Sequence, residues 1–125
     1  MGARHYYRRA RAYTSTMAND LHTRGLIPEF VLGQLTPAVK SAAITFWNSE
    51  GALTGDAATA RAEQLLAVVR DGDGNLVAVA TGAVVPQAPL VLQPLFSFRT
   101  FVAAKRRQQG IASDLLAFTF DALAR

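Results

Sequence analysis

The feature that most constrains the fold is a run of turn-forming residues between two stretches that favour strands. The sequence DGDGN at 71–75 follows LAVVR at 66–70 and precedes LVAVATGAVV at 76–85. Branched aliphatic residues favour strands, and glycine and asparagine tolerate the positive backbone angles of a tight turn. The pattern predicts an antiparallel hairpin, and Gly82 indicates a bulge in its second strand.

Two helices are predicted before this hairpin. Thr36 precedes a proline, and this pair is typical of a helix start because threonine caps free amides and proline is pre-shaped for the first turn. The helix is expected to end near Glu50, followed by Gly51, with apolar residues at spacings of three to four on its buried side, namely Val39, Ala43, Phe46 and Trp47. An alanine-rich second helix is expected at about 56–65.

A third strand and a final helix complete the predicted order of elements. The strand is expected from about Leu95 to Ala103 and the helix from about Gly110 to the end, while three prolines between 86 and 94 indicate an irregular connection. A chain of 125 residues is long enough for one domain with one core. We therefore expect a single α+β domain, residues 1–125, with a mainly antiparallel sheet flanked by helices.

Composition narrows the classes of function. The chain has no cysteine, which excludes thiolate catalysis and cysteine-ligated metals. No apolar stretch approaches the roughly 20 residues of a membrane span, so no membrane partner is expected. The basic N-terminal sequence MGARHYYRRARAY lacks the apolar region that follows in a signal peptide, and we expect a cytoplasmic protein.

The turn at 71–75 also resembles the start of a calcium loop, with oxygen ligands at alternate positions. The sixth position would then be Leu76 instead of glycine, and the twelfth would be Gly82 instead of a bidentate glutamate. The two histidines, His5 and His22, are not spaced to share a helical face. No metal site is predicted, and the common serine-nucleophile and nucleotide-loop motifs are missing.

The stretch AAKRRQQGIASDLL at 103–116 has two interpretations. It joins a predicted strand to a predicted helix through three cations and a glycine, where free helix amides and the helix dipole favour an anion. Arg106 and Arg107 would add charge-assisted hydrogen bonds to phosphate oxygens. The alternative is a solvated basic loop whose glycine merely starts the helix.

Within this stretch, Arg107-Gln108-Gln109-Gly110-Ile111-Ala112 resembles the acyl-CoA motif R/Q-x-x-G-x-G/A of the GNAT superfamily of N-acetyltransferases and matches all its fixed positions. The resemblance covers about 36–125. It implies a GNAT-like fold that binds acetyl-CoA or another acyl-CoA as co-substrate and, when complete, transfers the acetyl group to an amine acceptor.

The resemblance also implies roles for individual residues. The backbone of the motif strand would pair with the pantetheine arm, and the loop and first helical turn would hold the pyrophosphate. The expected acyl-CoA-binding residues are Phe101, Val102, Ala103, Arg107, Gln108, Gln109, Gly110, Ile111, Ala112 and Ser113.

The departures from the family are equally informative. The family normally continues with further elements after the motif helix, whereas this chain ends at Arg125, so we expect a truncated domain. Those elements often supply the tyrosine that protonates the departing thiolate. The first strand of the family is not recognisable in residues 1–25, which stay unassigned, and no catalytic residue is assigned.

The final helix and the motif strand predict a partner. Asp114, Asp121 and Arg125 form a narrow polar stripe that leaves a wide apolar arc, and the strand would be an open sheet edge. A missing C-terminal segment, a homodimer or the N-terminal segment would cover them. The alternative function is therefore a catalytically inactive module that dimerises or binds a protein or nucleic acid.

The basic N-terminal segment allows a nucleic-acid partner as well. The sequence RHYYRRARAY at 4–13 alternates cations with aromatic residues, which can neutralise phosphates and stack on bases. The competing interpretation is a solvated or frayed N-terminal helix.

Overall fold

The computed structural model describes residues 20–85 and 95–125. The basic segment at 4–13 and the proline-rich connection at 86–94 lie outside the described residues. The described elements are β1 (Ile27–Phe30), α1 (Pro37–Ser49), α2 (Gly55–Ala62), β2 (Leu65–Arg70), β3 (Leu76–Val85), β4 (Leu95–Val102), a short 3-10 helix (Ala104–Arg106) and α3 (Ile111–Leu123).

The four strands form one antiparallel sheet in the order β1-β2-β3-β4, which confirms the predicted α+β class with helices flanking an antiparallel sheet. The predicted hairpin is β2 and β3. In its turn the Asp71 carboxylate accepts hydrogen bonds from the amides of Asp73 (2.9 Å) and Asn75 (3.0 Å). Only Gly74 in this turn adopts a positive φ, +85°.

The predicted bulge at Gly82 is wrong. Gly82 pairs in regular register with Phe98 of β4, and the two register shifts lie between β2 and β3, at 65–67 and at 69–70 on the β2 side. The shift at 65–67 falls where the chain leaves α2 and enters the sheet.

Strand β1 is an element that the sequence did not predict. It has only four residues, IPEF, and Pro28 lacks the amide that a central strand needs. The strand lies at the edge of the sheet, where it pairs only with β2, so a proline is tolerated there.

Helix α1 begins and ends as predicted, whereas α2 is shorter. The Thr36 hydroxyl caps α1 by accepting a hydrogen bond from the Val39 amide at 3.2 Å. Helix α2 ends at Ala62 instead of about Leu65, because Leu65 already belongs to β2 and is fully buried. Alanine-rich local sequence favours helix there, but burial in the sheet decides the boundary.

The sheet has an apolar core on each face. Helices α1 and α2 pack on one face through Ala43, Phe46, Trp47, Ala58 and Ala62. Helix α3 packs on the other face, together with Leu21 and Leu26. Strand β2 is buried on both faces, which explains its uninterrupted apolar run. None of the helices in residues 20–85 and 95–125 is long and apolar enough to span a bilayer.

Two of the three residues in the polar stripe of α3, Asp114 and Asp121, face inward, whereas Arg125 is exposed. Asp114 and Asp121 are only 9% and 5% exposed, whereas Phe120 and Leu123 are 48% and 40% exposed. Each aspartate is neutralised by an arginine, Asp114 by Arg24 and Asp121 by Arg125, the latter at 2.7 Å. Helix α3 therefore packs with both carboxylates buried, and two residues of its apolar arc are left exposed.

Candidate functional site

The site begins where β4, the terminal strand among those described, turns into α3. After Val102 the chain makes a 3-10 turn over Ala104–Arg106 and reaches the helix through Gln108 and Gly110, both with positive φ (+65° and +75°). The Ala104 amide donates to the Glu50 carboxylate at 3.2 Å, which ties the start of this loop to the end of α1. We call residues 107–113 the cationic loop.

The first turn of α3 presents backbone amides outward. The first hydrogen bond within the helix runs from the Asp114 amide to the Gly110 carbonyl (3.1 Å), so the amides of Ile111, Ala112 and Ser113 precede the helical ladder. A Cβ placed on Gly110 would meet no atom within 4 Å, so the space beside Gly110 is open. Three amides at the positive end of a helix dipole can bind an anion.

The Arg107 side chain is exposed and folds back towards β4. Its Nε donates to the Val102 carbonyl at 3.2 Å, and its guanidinium lies 5.3 Å from the centre of the Phe101 ring. The guanidinium keeps other donors, because Nε is one of five N–H groups on arginine. Arg107 is thus held beside the loop by its stem and can offer its remaining donors to an anion.

The three predicted strand residues differ in the direction of their backbone groups. The Ala103 amide donates to the Val77 carbonyl of β3 at 2.8 Å. Because backbone groups alternate along an antiparallel ladder, Phe101 also faces β3, and the groups of Val102 face the open edge. Val102 is therefore the predicted pantetheine-binding residue whose backbone points away from the sheet, and its carbonyl is already bonded to Arg107.

The predicted loop residues also differ in exposure. Ile111 is 1% exposed and belongs to the core under α3. Gln108, Gln109, Ala112 and Ser113 are exposed around the helix start. The structure thus brings the exposed residues of the motif together, and Ile111 contributes only its amide on that side.

Arg24 fixes this helix start and was not predicted from the sequence. Its guanidinium hydrogen-bonds to the Gln109 carbonyl and forms a salt bridge with the Asp114 carboxylate. Burial raises the pKa of Asp114, and the positive charge of Arg24 partly opposes this shift. Arg24 and Asp114 lie far apart in the sequence, so no local pattern indicates their pairing.

A cleft of about 540 Å³ opens on the sheet face that carries α1 and α2. Its walls come from both helices, the connection between them, β3 and β4, and they include Trp47, Leu53, Arg61, Val79, Arg99 and Phe101. Phe101 also stacks against Arg107, so the cleft adjoins the cationic loop through one aromatic ring. Sequence analysis did not predict this cleft, because its walls come from four separate elements.

No group of His, Asp or Glu side chains able to hold a metal is found in the described residues. No protein-family model matches the chain. A search of curated proteins finds no significant match either.

Proposed function

We propose that this chain is an acyl-CoA-binding domain of GNAT-like fold that, when complete, transfers an acetyl group from acetyl-CoA to an amine. In that reaction the amine attacks the thioester carbonyl, the carbon–sulfur bond breaks, and the coenzyme A thiolate takes up a proton. The observation that carries the proposal is Gly110 in left-handed conformation at the start of α3, inside the matched motif and in the connection that follows the terminal described strand.

The order of the elements also supports this proposal. The resemblance implies a first strand before two helices, then a hairpin, a motif strand and a helix. Strand β1 stands before α1 and α2, and β2, β3, β4 and α3 follow. The first strand was not recognisable in residues 1–25, and β1 begins just after them, at Ile27.

The cationic loop fits a pyrophosphate in three respects. The amides of Ile111, Ala112 and Ser113 precede the helical ladder, the space beside Gly110 is open, and the Arg107 guanidinium lies beside the loop. The one carboxylate in the first turn, Asp114, is paired with Arg24, which reduces its repulsion of an anion. The backbone of Val102 on the open edge is the group suited to the pantetheine arm.

Isothermal titration calorimetry with acetyl-CoA tests the proposal. The wild type is expected to bind acetyl-CoA, and pantetheine, which lacks phosphates, is expected to bind at least about tenfold more weakly. The double variant Arg107→Glu, Gly110→Trp should abolish binding, because it reverses a charge and fills the space beside Gly110. Absence of both binding heat and a thermal shift with the wild type would contradict the proposal.

A matched control separates loss of the site from backbone strain. Gly33 also has a positive φ (+80°) and open space around it, and it lies in the turn after β1. The double variant Arg70→Glu, Gly33→Trp therefore carries the same two kinds of change away from the loop. It should bind acetyl-CoA like the wild type, and equal loss of binding in both double variants would mean that the loop is not the site.

A second candidate function is an interaction module that associates with a second copy of the chain through the β4 edge. The observation that favours it is the exposed Phe120, which contacts Phe98 of β4 with ring centres 5.2 Å apart. Light scattering of the wild type and of Phe120→Ser tests it. A dimer that the substitution converts to monomer would support this candidate, and a monomeric wild type would rule it out.

A further inference from the structure

We infer that the cleft between the helices and β4 binds a small organic anion, with Arg61 and Arg99 holding a carboxylate and the aromatic wall holding an apolar body. Arg61 projects from α2 and Arg99 from β4, and both line the cleft of about 540 Å³. The inference does not depend on the acyl-CoA proposal, because neither arginine belongs to the cationic loop.

The two arginines line two adjoining hollows. A second hollow of about 310 Å³ adjoins the cleft, and Arg61, Thr81 and Arg99 line both. In the sheet Thr81 is directly opposite Arg99, which places its side chain on the same face. Two arginines and a threonine thus line both hollows.

Within the part of the chain that the structure describes, neither of these two cations forms a salt bridge. All nine Asp and Glu residues of the chain lie in residues 20–85 and 95–125, and no salt bridge there joins any of them to Arg61 or Arg99. Burial, and then the positive charge of Arg99, lower the pKa of Arg61. Two neighbouring cations that repel each other beside an apolar cleft favour an anion, and planar guanidiniums match a carboxylate with paired hydrogen bonds.

The rest of the cleft is apolar and sets the character of the ligand. Of its lining residues, Trp47 and Val79 are buried, and Leu53 and Phe101 are partly buried. A volume of about 540 Å³ lies within the range of small-molecule sites. An anion without an apolar part would leave these apolar side chains exposed to water. The ligand that suits the cleft is therefore a carboxylate with an aliphatic or aromatic body.

Fluorescence of Trp47 reports on this cleft directly, because it is the only tryptophan in the chain. Titration with hexanoate, in the absence of acetyl-CoA, should change the fluorescence in a saturable manner. Hexanamide has the same shape without the charge and should bind at least about tenfold more weakly. Added salt should weaken hexanoate binding, and equal responses to the acid and the amide would overturn the inference.

Variants assign the binding to the two arginines. Arg61→Gln and Arg99→Gln should each weaken hexanoate binding about tenfold, and Arg99→Lys should weaken it less because the charge remains. Arg70→Gln removes the same charge at the far end of β2 and should leave binding unchanged. Circular dichroism verifies that each variant is folded. Unchanged affinity in both glutamine variants, or no saturable response in the wild type, would refute the inference whatever the result with acetyl-CoA.

Discussion

The two faces of the sheet differ in whether the arginines and aspartates on them form salt bridges. On the α3 face the buried carboxylates are neutralised, Asp114 by Arg24 and Asp121 by Arg125. On the α1 and α2 face, Arg61 and Arg99 lie beside an apolar cleft without a carboxylate partner in the described residues. Burial of a charge is costly unless it is compensated. The α3 face therefore contains its own counter-ions. On the opposite face Arg61 is partly exposed and Arg99 is exposed, so both charges stay available to an anionic ligand.

The largest expected effect is loss of packing on the α3 face. Leu115 is fully buried under α3, and Leu115→Ala should lower the free energy of unfolding by about 3 kcal/mol in chemical denaturation. Leu123→Ala is the control on the same helix. Because Leu123 is 40% exposed, Leu123→Ala should lower the free energy of unfolding by only about 0.5 kcal/mol, as for a surface substitution. Similar losses in both variants would show that α3 is not docked as described.

Removal of Arg24 tests the internal compensation. Arg24→Met should cost about 1–2 kcal/mol of unfolding free energy, less than for a fully buried pair because the Arg24 side chain is 33% exposed. The variant leaves the Asp114 carboxylate buried without its counter-ion. Asp114→Asn in the same background should recover part of the loss.

The pH dependence of this loss gives a sharper criterion. Since burial raises the pKa of Asp114, the folded state binds its proton more tightly than the unfolded chain. The ionisation of Asp114 therefore lowers the free energy of unfolding as pH rises from its unfolded-state pKa to its folded-state pKa. Below the unfolded-state pKa the carboxyl group is protonated in both states, and the penalty is absent. Without the positive charge of Arg24 the pKa of Asp114 is raised further. The loss of unfolding free energy in Arg24→Met should therefore grow from about pH 4 to about pH 7. A loss that does not change with pH would contradict the role of Asp114.

A smaller effect is expected for the cap of α1, the helix that carries Trp47 into the cleft. Thr36→Ala removes the acceptor of the Val39 amide and should cost about 1 kcal/mol. Thr54 precedes α2 in the same position, but its side chain makes no capping hydrogen bond. Thr54→Ala should therefore cost clearly less, and equal losses in thermal unfolding would exclude a specific capping contribution from Thr36.

The smallest effect on stability is expected in the cleft. Arg99→Gln should cause no loss in thermal stability at low salt, because it removes a cation that faces another cation. Added salt should stabilise the wild type more than this variant, since screening relieves the same repulsion. Arg125→Gln removes a cation from a salt bridge on the α3 face and should lose stability. A greater loss in Arg99→Gln than in Arg125→Gln would reverse the contrast between the two faces.

Local patterns were sufficient for much of this fold. The Thr36-Pro37 pair, the turn at 71–75 and Gly110 each fix their own backbone within a few residues, and the elements beside them lie where they were predicted. Strand β1 and the end of α2 were missed because pairing with β2 and burial of Leu65 override the local preferences. Pro28 disfavours a strand at β1, and the alanine-rich sequence favours a longer α2, so both local preferences indicate the wrong structure.

The two candidate sites differ in the same respect. The cationic loop is continuous in sequence, so its position after β4 and at the start of α3 could be predicted, and its use for acyl-CoA stays a prediction. The cleft joins Trp47, Arg61, Val79 and Arg99 from four elements. The sequence pattern within each element does not indicate that these side chains come together. The contact of Arg24 with Asp114 could not be predicted for the same reason.

The connections within the sheet have a consequence for how the chain folds. Only the turn at 71–75 separates β2 from β3, whereas α1 and α2 lie between β1 and its partner β2. Closing a longer loop costs more entropy, so we expect the hairpin to form in the transition state and β1 to join later. Asp71→Ala should then slow refolding in stopped-flow experiments, and Phe30→Leu should mainly accelerate unfolding. The edge strand that was hardest to predict would thus be the last part of the sheet to assemble and the first to detach.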